Sequence, residues 1–256
     1  LNWKIYNNQI NVKFAGFSVD LTNDPDIVNT NMNIDFFGNK LTNNHLEKFG
    51  VIDIGTQLEV LPVNYNVNMN IYDNELNGYV ALCNNFKNSN FAVNLNNNLI
   101  VNESMFDAVF IGTLRLPELT TISENASIQC NMMNNKIINA STGSSIRIQP
   151  DAASIGTNIC AIIENNRVTN STNLPAILVQ ATGNAGMDQN ISVSIDQNKI
   201  QTSGYTAISG VNTTSMGTNT LCLEALENTI KSANSSKSIS LTQDSTNLFE
   251  SHVDNT

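Results

Sequence analysis

The sequence predicts an all-β protein, a right-handed parallel β-helix solenoid of about eight coils, and three observations carry that prediction. An Asn followed two places later by an aliphatic residue recurs along the chain, at Asn8, Asn39, Asn74, Asn98, Asn135, Asn166, Asn198 and Asn228. The residues seven, five and three places before these anchors are apolar throughout: Leu1, Trp3, Ile5; Met32, Ile34, Phe36; Val67, Met69, Ile71; Phe91, Val93, Leu95 in the first half. In the second half they are Ile128, Cys130, Met132; Ile159, Ala161, Ile163; Ile191, Val193, Ile195; Leu221, Leu223, Ala225. Finally, the intervals between anchors, 31, 35, 24, 37, 31, 32 and 30 residues, vary while the motif does not.

Alternation with a period of two identifies a strand with one buried face. At 41 % apolar overall, an unbroken run of apolar matches at these positions is not chance. Copies of one strand recurring about every 31 residues cannot pair as hairpins, but they stack in parallel if each unit makes one circuit. Rungs about 4.8 Å apart give a stack on the order of 40 Å long. A second strand is marked by the aliphatic residue after each anchor: Ile10, Leu41, Leu76, Ile100, Ile137, Val168, Ile200 and Ile230. A third is marked by Val19 and Leu21, Ile52 and Ile54, Val109 and Ile111, Ile146 and Ile148, Ile177 and Val179, and Ile239 and Leu241. The third unit offers no obvious equivalent, and Ile208 serves in the seventh with a one-residue shift. The anchor Asn belongs in the turn after the first strand, where its amide bonds the same amide one rung away or tolerates a left-handed backbone. The β-helix is expected over 1–243, with 244–256 a polar tail or a cap that folds Leu248, Phe249 and Val253 over the last rung.

A net charge of −10 with only 12 Lys and Arg opposes binding to nucleic acid, whose affinity comes from clustered cations. No apolar run approaches the roughly 20 residues of a membrane helix, so membrane insertion is not expected. The Asn-, Ser- and Thr-rich, weakly charged composition suits an extracellular or cell-surface protein. The first core residue is Leu1, so the chain is expected to be either a processed piece of a longer protein or a subunit whose first coil buries Leu1, Trp3 and Ile5 against a partner, by self-association head to tail in a filament. Cys83, Cys130, Cys160 and Cys222 are expected as four free thiols, because Cys160 and Cys222 share an outward column two rungs apart, beyond bridging distance.

With this coil pattern running from Leu1 to about Leu241, the sequence resembles the pectin-lyase-like superfamily of right-handed parallel β-helices. That superfamily holds polysaccharide lyases and hydrolases, autotransporter passengers, adhesins and phage tailspikes, so the resemblance implies a fold and leaves the activity open. The Asn-Thr-Asp, Asp-Asp, Gly-His-Gly and Arg-Ile-Lys signatures of its hydrolases do not occur, and His45 and His252 read as ordinary surface residues.

Two outward constellations remain. Glu164 and Asp196 fall two before the anchor on adjacent rungs with Glu224 and Glu227 on the next, and Lys136, Arg167 and Lys199 form a basic row one after it. The plain reading is two rows that neutralise each other. The sharper one is a lyase centre with Ca²⁺ held by Glu164, Asp196, Glu224 and Glu227 and catalysis by Glu164, Asp196, Arg167 and Lys199. Nearer the N-terminus, Tyr6, Phe37 and Tyr72 share one outward column, bordered by Asn2, Asn33 and Asn68, a combination that stacks on sugars and bonds their hydroxyls, or whose rings stack on one another. The expectation is a non-catalytic, adhesin-like or structural surface protein contacting glycans or proteins. The alternatives are a polysaccharide-active enzyme and a virion fibre or spike segment.

Overall fold

A computed structural model describes residues 1–12, 17–20, 30–43, 52–55, 63–82, 86–113, 123–151, 154–181, 188–203, 206–212, 219–232, 239–243 and 248–255. The chain is a parallel β-solenoid with three strands to a coil. The first coil is β1 (Asn2–Tyr6), β2 (Gln9–Val12) and β3 (Phe17–Asp20); the second is β4 (Thr30–Phe37), β5 (Lys40–Asn43) and β6 (Ile52–Gly55). The third is β7 (Tyr65–Tyr72), β8 (Glu75–Asn77) and β9 (Val80–Leu82), and the fourth β10 (Asn90–Asn96), β11 (Leu99–Asn102) and β12 (Val109–Gly112). The fifth is β13 (Ser127–Met133), β14 (Lys136–Asn139) and β15 (Ile146–Gln149), and the sixth β16 (Asn158–Glu164), β17 (Arg167–Asn170) and β18 (Ile177–Ala181). Then come β19 (Asn190–Asp196), β20 (Lys199–Thr202) and β21 (Ile208–Asn212). The last coil has β22 (Thr220–Ser232), which runs unbroken through the first two faces, and β23 (Ile239–Gln243). The strands stack in three parallel faces; the third is an eight-stranded sheet from β3 to β23.

The corner between the first and second faces repeats one device. A left-handed residue ends the first strand: Asn7, Gly38, Asp73, Asn97, Asn134, Asn165, Gln197 or Glu227, with φ between 51° and 64°. Gly, Asn and Asp, which tolerate this backbone best, fill most of these places. The anchor Asn follows. Of the two roles expected for it, amide pairing is the one observed; the left-handed residue is its predecessor. Asn135 donates its backbone N–H (2.8 Å) and its Nδ2 (3.0 Å) to Oδ1 of Asn166, which does the same to Asn198 at 2.8 and 3.1 Å. The chain of bonds runs from Asn8 to Asn228, and from Asn39 onward every member is at most 3 % exposed. Each Nδ2 from Asn39 on also reaches a main-chain carbonyl of the preceding rung, as Asn166 does to Met132 at 2.9 Å.

The inward column expected from the motif is in place: Ile34, Met69, Val93, Cys130, Ala161, Val193 and Leu223 are all buried. Trp3 is in register with Ile34 but is 43 % exposed, because it stands on the outermost rung and is packed from one side.

The third face differs from expectation in two places. Phe17 and Val19, not Val19 and Leu21, pair with Ile52 and Ile54; Leu21 lies outside the described residues. The third coil does have its third strand, with Val80 and Leu82 opposite Ile52 and Ile54, reached after only Gly78 and Tyr79. Ile208 serves in the seventh coil as expected, directly between Ile177 and Ile239. The end of the chain is also unlike a cap folded over the last rung: β24 (Leu248–Asn255) pairs in parallel with β22, placing Phe249 opposite Leu221, Val253 opposite Ala225 and Leu248 opposite Thr220.

The buried ladder predicts a sharp contrast between asparagines. Asn166→Ala leaves the Asn135 donors, the Met132 carbonyl and Asn198 Oδ1 short of partners, and urea unfolding should show a loss on the order of 3 kcal/mol. Asn90→Ala, on an exposed amide bond, should stay within about 0.5 kcal/mol of the parent.

Candidate functional site

The long strands of the first face place side chains alternately inward and outward, and parallel register sorts the outward ones into columns along the axis. In the column two before the anchor, Tyr6 stacks on Phe37 with centroids 5.2 Å apart and planes at 8°, and Phe37 on Tyr72 at 4.9 Å and 4°. The rings therefore spend their faces on one another and show their edges outward, apart from Tyr6, whose free side leaves it 54 % exposed. Four residues along the strand from them, beyond the column of Lys4, Asp35 and Asn70, Asn33 Nδ2 donates to Asn2 (2.9 Å) and Asn68 to Asn33 (3.1 Å). Two further columns behave alike: Asn90 to Asn66 to Asn31, and Asn131 to Asn94 to Asn70 to Asp35. The structure thus brings Tyr6, Phe37, Tyr72, Asn2, Asn33 and Asn68 onto one continuous face. Each linking amide retains a second N–H and a free lone pair for an outside partner.

The acidic constellation is only partly assembled. Glu164 is opposite Asp196, but the next residue in that column is Leu226. Glu224 is opposite Ser194, one column over and roughly 6.6 Å along the strand, and Glu227 is at the left-handed corner, where Gln197 Nε2 donates to it at 3.3 Å. Strand geometry therefore spreads the four carboxylates over three columns. Among the described residues no group of three or more His, Cys, Asp or Glu side chains is placed to hold a metal ion. Lys136, Arg167 and Lys199 do form a row on successive rungs. No ion pair joins that row to Glu164 or Asp196; pairs among the described residues include Lys40 with Glu75 (2.6 Å) and Arg147 with Asp107 (2.8 Å). Asp196 Oδ1 is enclosed without a hydrogen-bond partner.

Two features are not evident from the repeat. Asp107, in the corner before β12, accepts from Ser144 N (2.6 Å) and pairs with Arg147 on the next rung; burial outweighs the arginine and holds its carboxyl above the ordinary range. This staple locks neighbouring corners together, and it requires Gly143, whose Cβ would stand 2.6 Å from Asp107 N. The second feature is a groove of about 250 Å³ on the first face, across β13, β16, β19 and β22, walled by Ser127, Asn158, Asn190 and Thr220 on one side and Gln129, Cys160, Ser192 and Cys222 on the other.

Cys130, Cys160 and Cys222 are unpaired, and Ser192 separates the last two in register; Cys83 lies outside the described residues, as does His45. In comparisons with family models, curated proteins and solved structures, nothing matches the chain.

The thiols give a pH test. Burial pushes the Cys130 thiol from an ordinary 9.0 up to about 12. Its contribution to stability is complete below the unfolded value and is lost as pH rises toward the folded one, since the unfolded thiol ionises first. Between pH 9 and 12 the parent should therefore lose more stability than Cys130→Ala. Iodoacetamide at neutral pH should label Cys160 in the folded protein and Cys130 only after unfolding.

Proposed function

We propose that the chain is a non-catalytic β-helix that works as a surface or secreted binding and structural module, with the outer side of its first face as the contact surface for glycans or other proteins. The observation that carries this reading is the organisation of that face: amide columns and a three-ring stack, self-bonded and rigid before any partner arrives, so that little ordering entropy is lost on contact. The weakly charged, Asn-rich composition supports placement outside the cell or on its surface.

The alternative, a polysaccharide-active enzyme of the pectin-lyase-like kind, draws support from one contact, Glu164 beside Asp196 with Asp196 Oδ1 enclosed and unpartnered. It loses support from the separation of Glu224 and Glu227 from that pair.

Two measurements test the proposal together. Reducing-end and unsaturated-product assays on acidic polysaccharides, with and without Ca²⁺, should show no turnover, and turnover abolished by Asp196→Ala would overturn the proposal. On an array of surface glycans the whole chain should bind, and replacing Tyr6 with Ser, at the open end of the ring stack, should weaken binding to any glycan held there by about 1 kcal/mol.

A further inference from the structure

We infer that a row of cations on the second face, Lys136, Arg167 and Lys199 with Lys231 on the next rung, is a binding site for one anionic polysaccharide chain lying along the solenoid axis. The inference goes beyond the contact surface proposed on the first face and uses none of its residues.

Register makes the row. Lys136 is opposite Arg167 and Arg167 opposite Lys199, so three cations stand one rung apart over roughly 10 Å. Lys231 follows on the last coil, opposite Gln201 and two residues along the strand from the row. All four side chains are exposed, and none of their nitrogens takes part in a hydrogen bond or ion pair among the described residues. Strands β14, β17 and β20 and residues 229–232 hold no Asp or Glu. The chain carries a net charge of −10 with only 12 Lys and Arg, and four of these are gathered where no carboxylate pairs with them.

The protein itself shows what such a cation does when an anion is within reach. On earlier rungs the same column holds Lys40 opposite Glu75, and these two join at 2.6 Å. Leu99 interrupts the column, and the later rungs repeat the cation without the acid. Like charges one rung apart repel, and they stand within about 10 Å, roughly the Debye length at physiological salt, so they attract an approaching anion together.

The surroundings limit the width of the occupant. Across the corner between the first and second faces, the neutral residues Asn165 and Gln197 separate the row from Glu164 and Asp196. A membrane surface or a nucleic acid duplex, many charges wide, would bring its phosphates against those carboxylates. A single chain would not. The pitch of the row limits the occupant's kind. An extended peptide turns side chains to one side only every second residue, roughly 6.6 Å, and drifts out of step with rungs about 4.8 Å apart. A polysaccharide with one anionic group per sugar ring advances by close to one rung per ring. Single-stranded nucleic acid is held by stacking on aromatic rings, and the outward neighbours of the row, Ile138, Thr169 and Gln201, offer none. Thr169 and Gln201 instead offer hydroxyl and amide groups for sugar hydroxyls. Arg167 adds a planar fork of donors that suits an oxyanion. Sulfated and carboxylated chains share this chemistry.

Calorimetry on the intact chain uses a heparin hexasaccharide for the sulfated class and hexagalacturonate for the carboxylated class. At least one should bind at low salt, and binding should be lost at about 1 M salt, where the Debye length falls to about 3 Å. Replacing Lys136, Arg167 and Lys199 together by Gln should abolish binding. Arg167→Gln alone should weaken it at least about tenfold, a loss of about 1.4 kcal/mol, and Arg167→Lys should weaken it less. Lys40→Gln removes the same charge from the same column, where Glu75 already pairs with it, and should leave the affinity nearly unchanged. Tyr6→Ser should leave it unchanged as well, so the row and the first-face reading are judged by different variants. Failure of both sugars to bind overturns the inference, and so does equal weakening by Lys40→Gln and Arg167→Gln, which would be an effect of net charge alone. Polyglutamate, oligothymidylate or phosphatidylserine vesicles binding at least as tightly as either sugar, and released by the triple substitution, would overturn the assignment to a polysaccharide.

Discussion

At the corner between the first two faces, a buried asparagine takes over the hydrogen bonds that strands cannot make while the chain turns. Its Oδ1 receives both donors of the asparagine one rung earlier, and its Nδ2 returns to the main chain of that rung. A short two-residue corner therefore leaves no buried donor orphaned, which the interior could not tolerate at one to several kcal/mol per group. The arrangement also has a direction: each rung donates to the next, so the ladder admits only coils stacked with the same polarity and at the same height. Everything else follows from that fixed height. The inward aliphatics meet their counterparts, and the outward side chains fall into columns.

The columns are where structure turns into surface chemistry. Once strands are locked in parallel register, any residue type repeated at one outward position becomes a line along the axis, whether of rings or of amides. Amides close such a line by bonding one another, rings by stacking, and neither needs a counter-charge. Carboxylates cannot do so, and the direct pair Glu164 and Asp196 gives way to Leu226 on the following rung. Among the described residues, amide ladders and stacked rings order the exterior of the first face, and ion pairs such as Lys40 with Glu75 stand apart from them.

Much of this was legible in the sequence because the corner is short and constant. A strand of fixed length before an Asn makes the inward positions countable, and Ile34 through Leu223 are where the count puts them. Legibility fails where lengths vary. The third coil reaches its third strand after two residues, so Val80 and Leu82 fall nearer to Asn74 than in any other unit, and a search at the usual offset passes over them. The strand β24 was hidden by its spacing: Phe249, Ser251 and Val253 stand six, four and two places before Asn255, one place closer than in the earlier strands. On the outer face, Glu224 and Glu227 belong to the rung after Asp196 but not to its column, a distinction that sequence counting makes only when each residue is assigned its own offset from the anchor.

The claim on which the account stands is that the asparagine ladder is a continuous, water-excluded part of the folded core. Native-state hydrogen exchange followed by NMR tests it directly, on both the backbone N–H and the side-chain amide protons of Asn39, Asn74, Asn98, Asn135, Asn166 and Asn198. The account predicts that these protons exchange as slowly as the backbone amides of Ile163 and Ile195, through global unfolding alone. Exchange of the ladder amides at the rate of the exposed Asn33 and Asn68 side chains, while the strand amides remain protected, would contradict it.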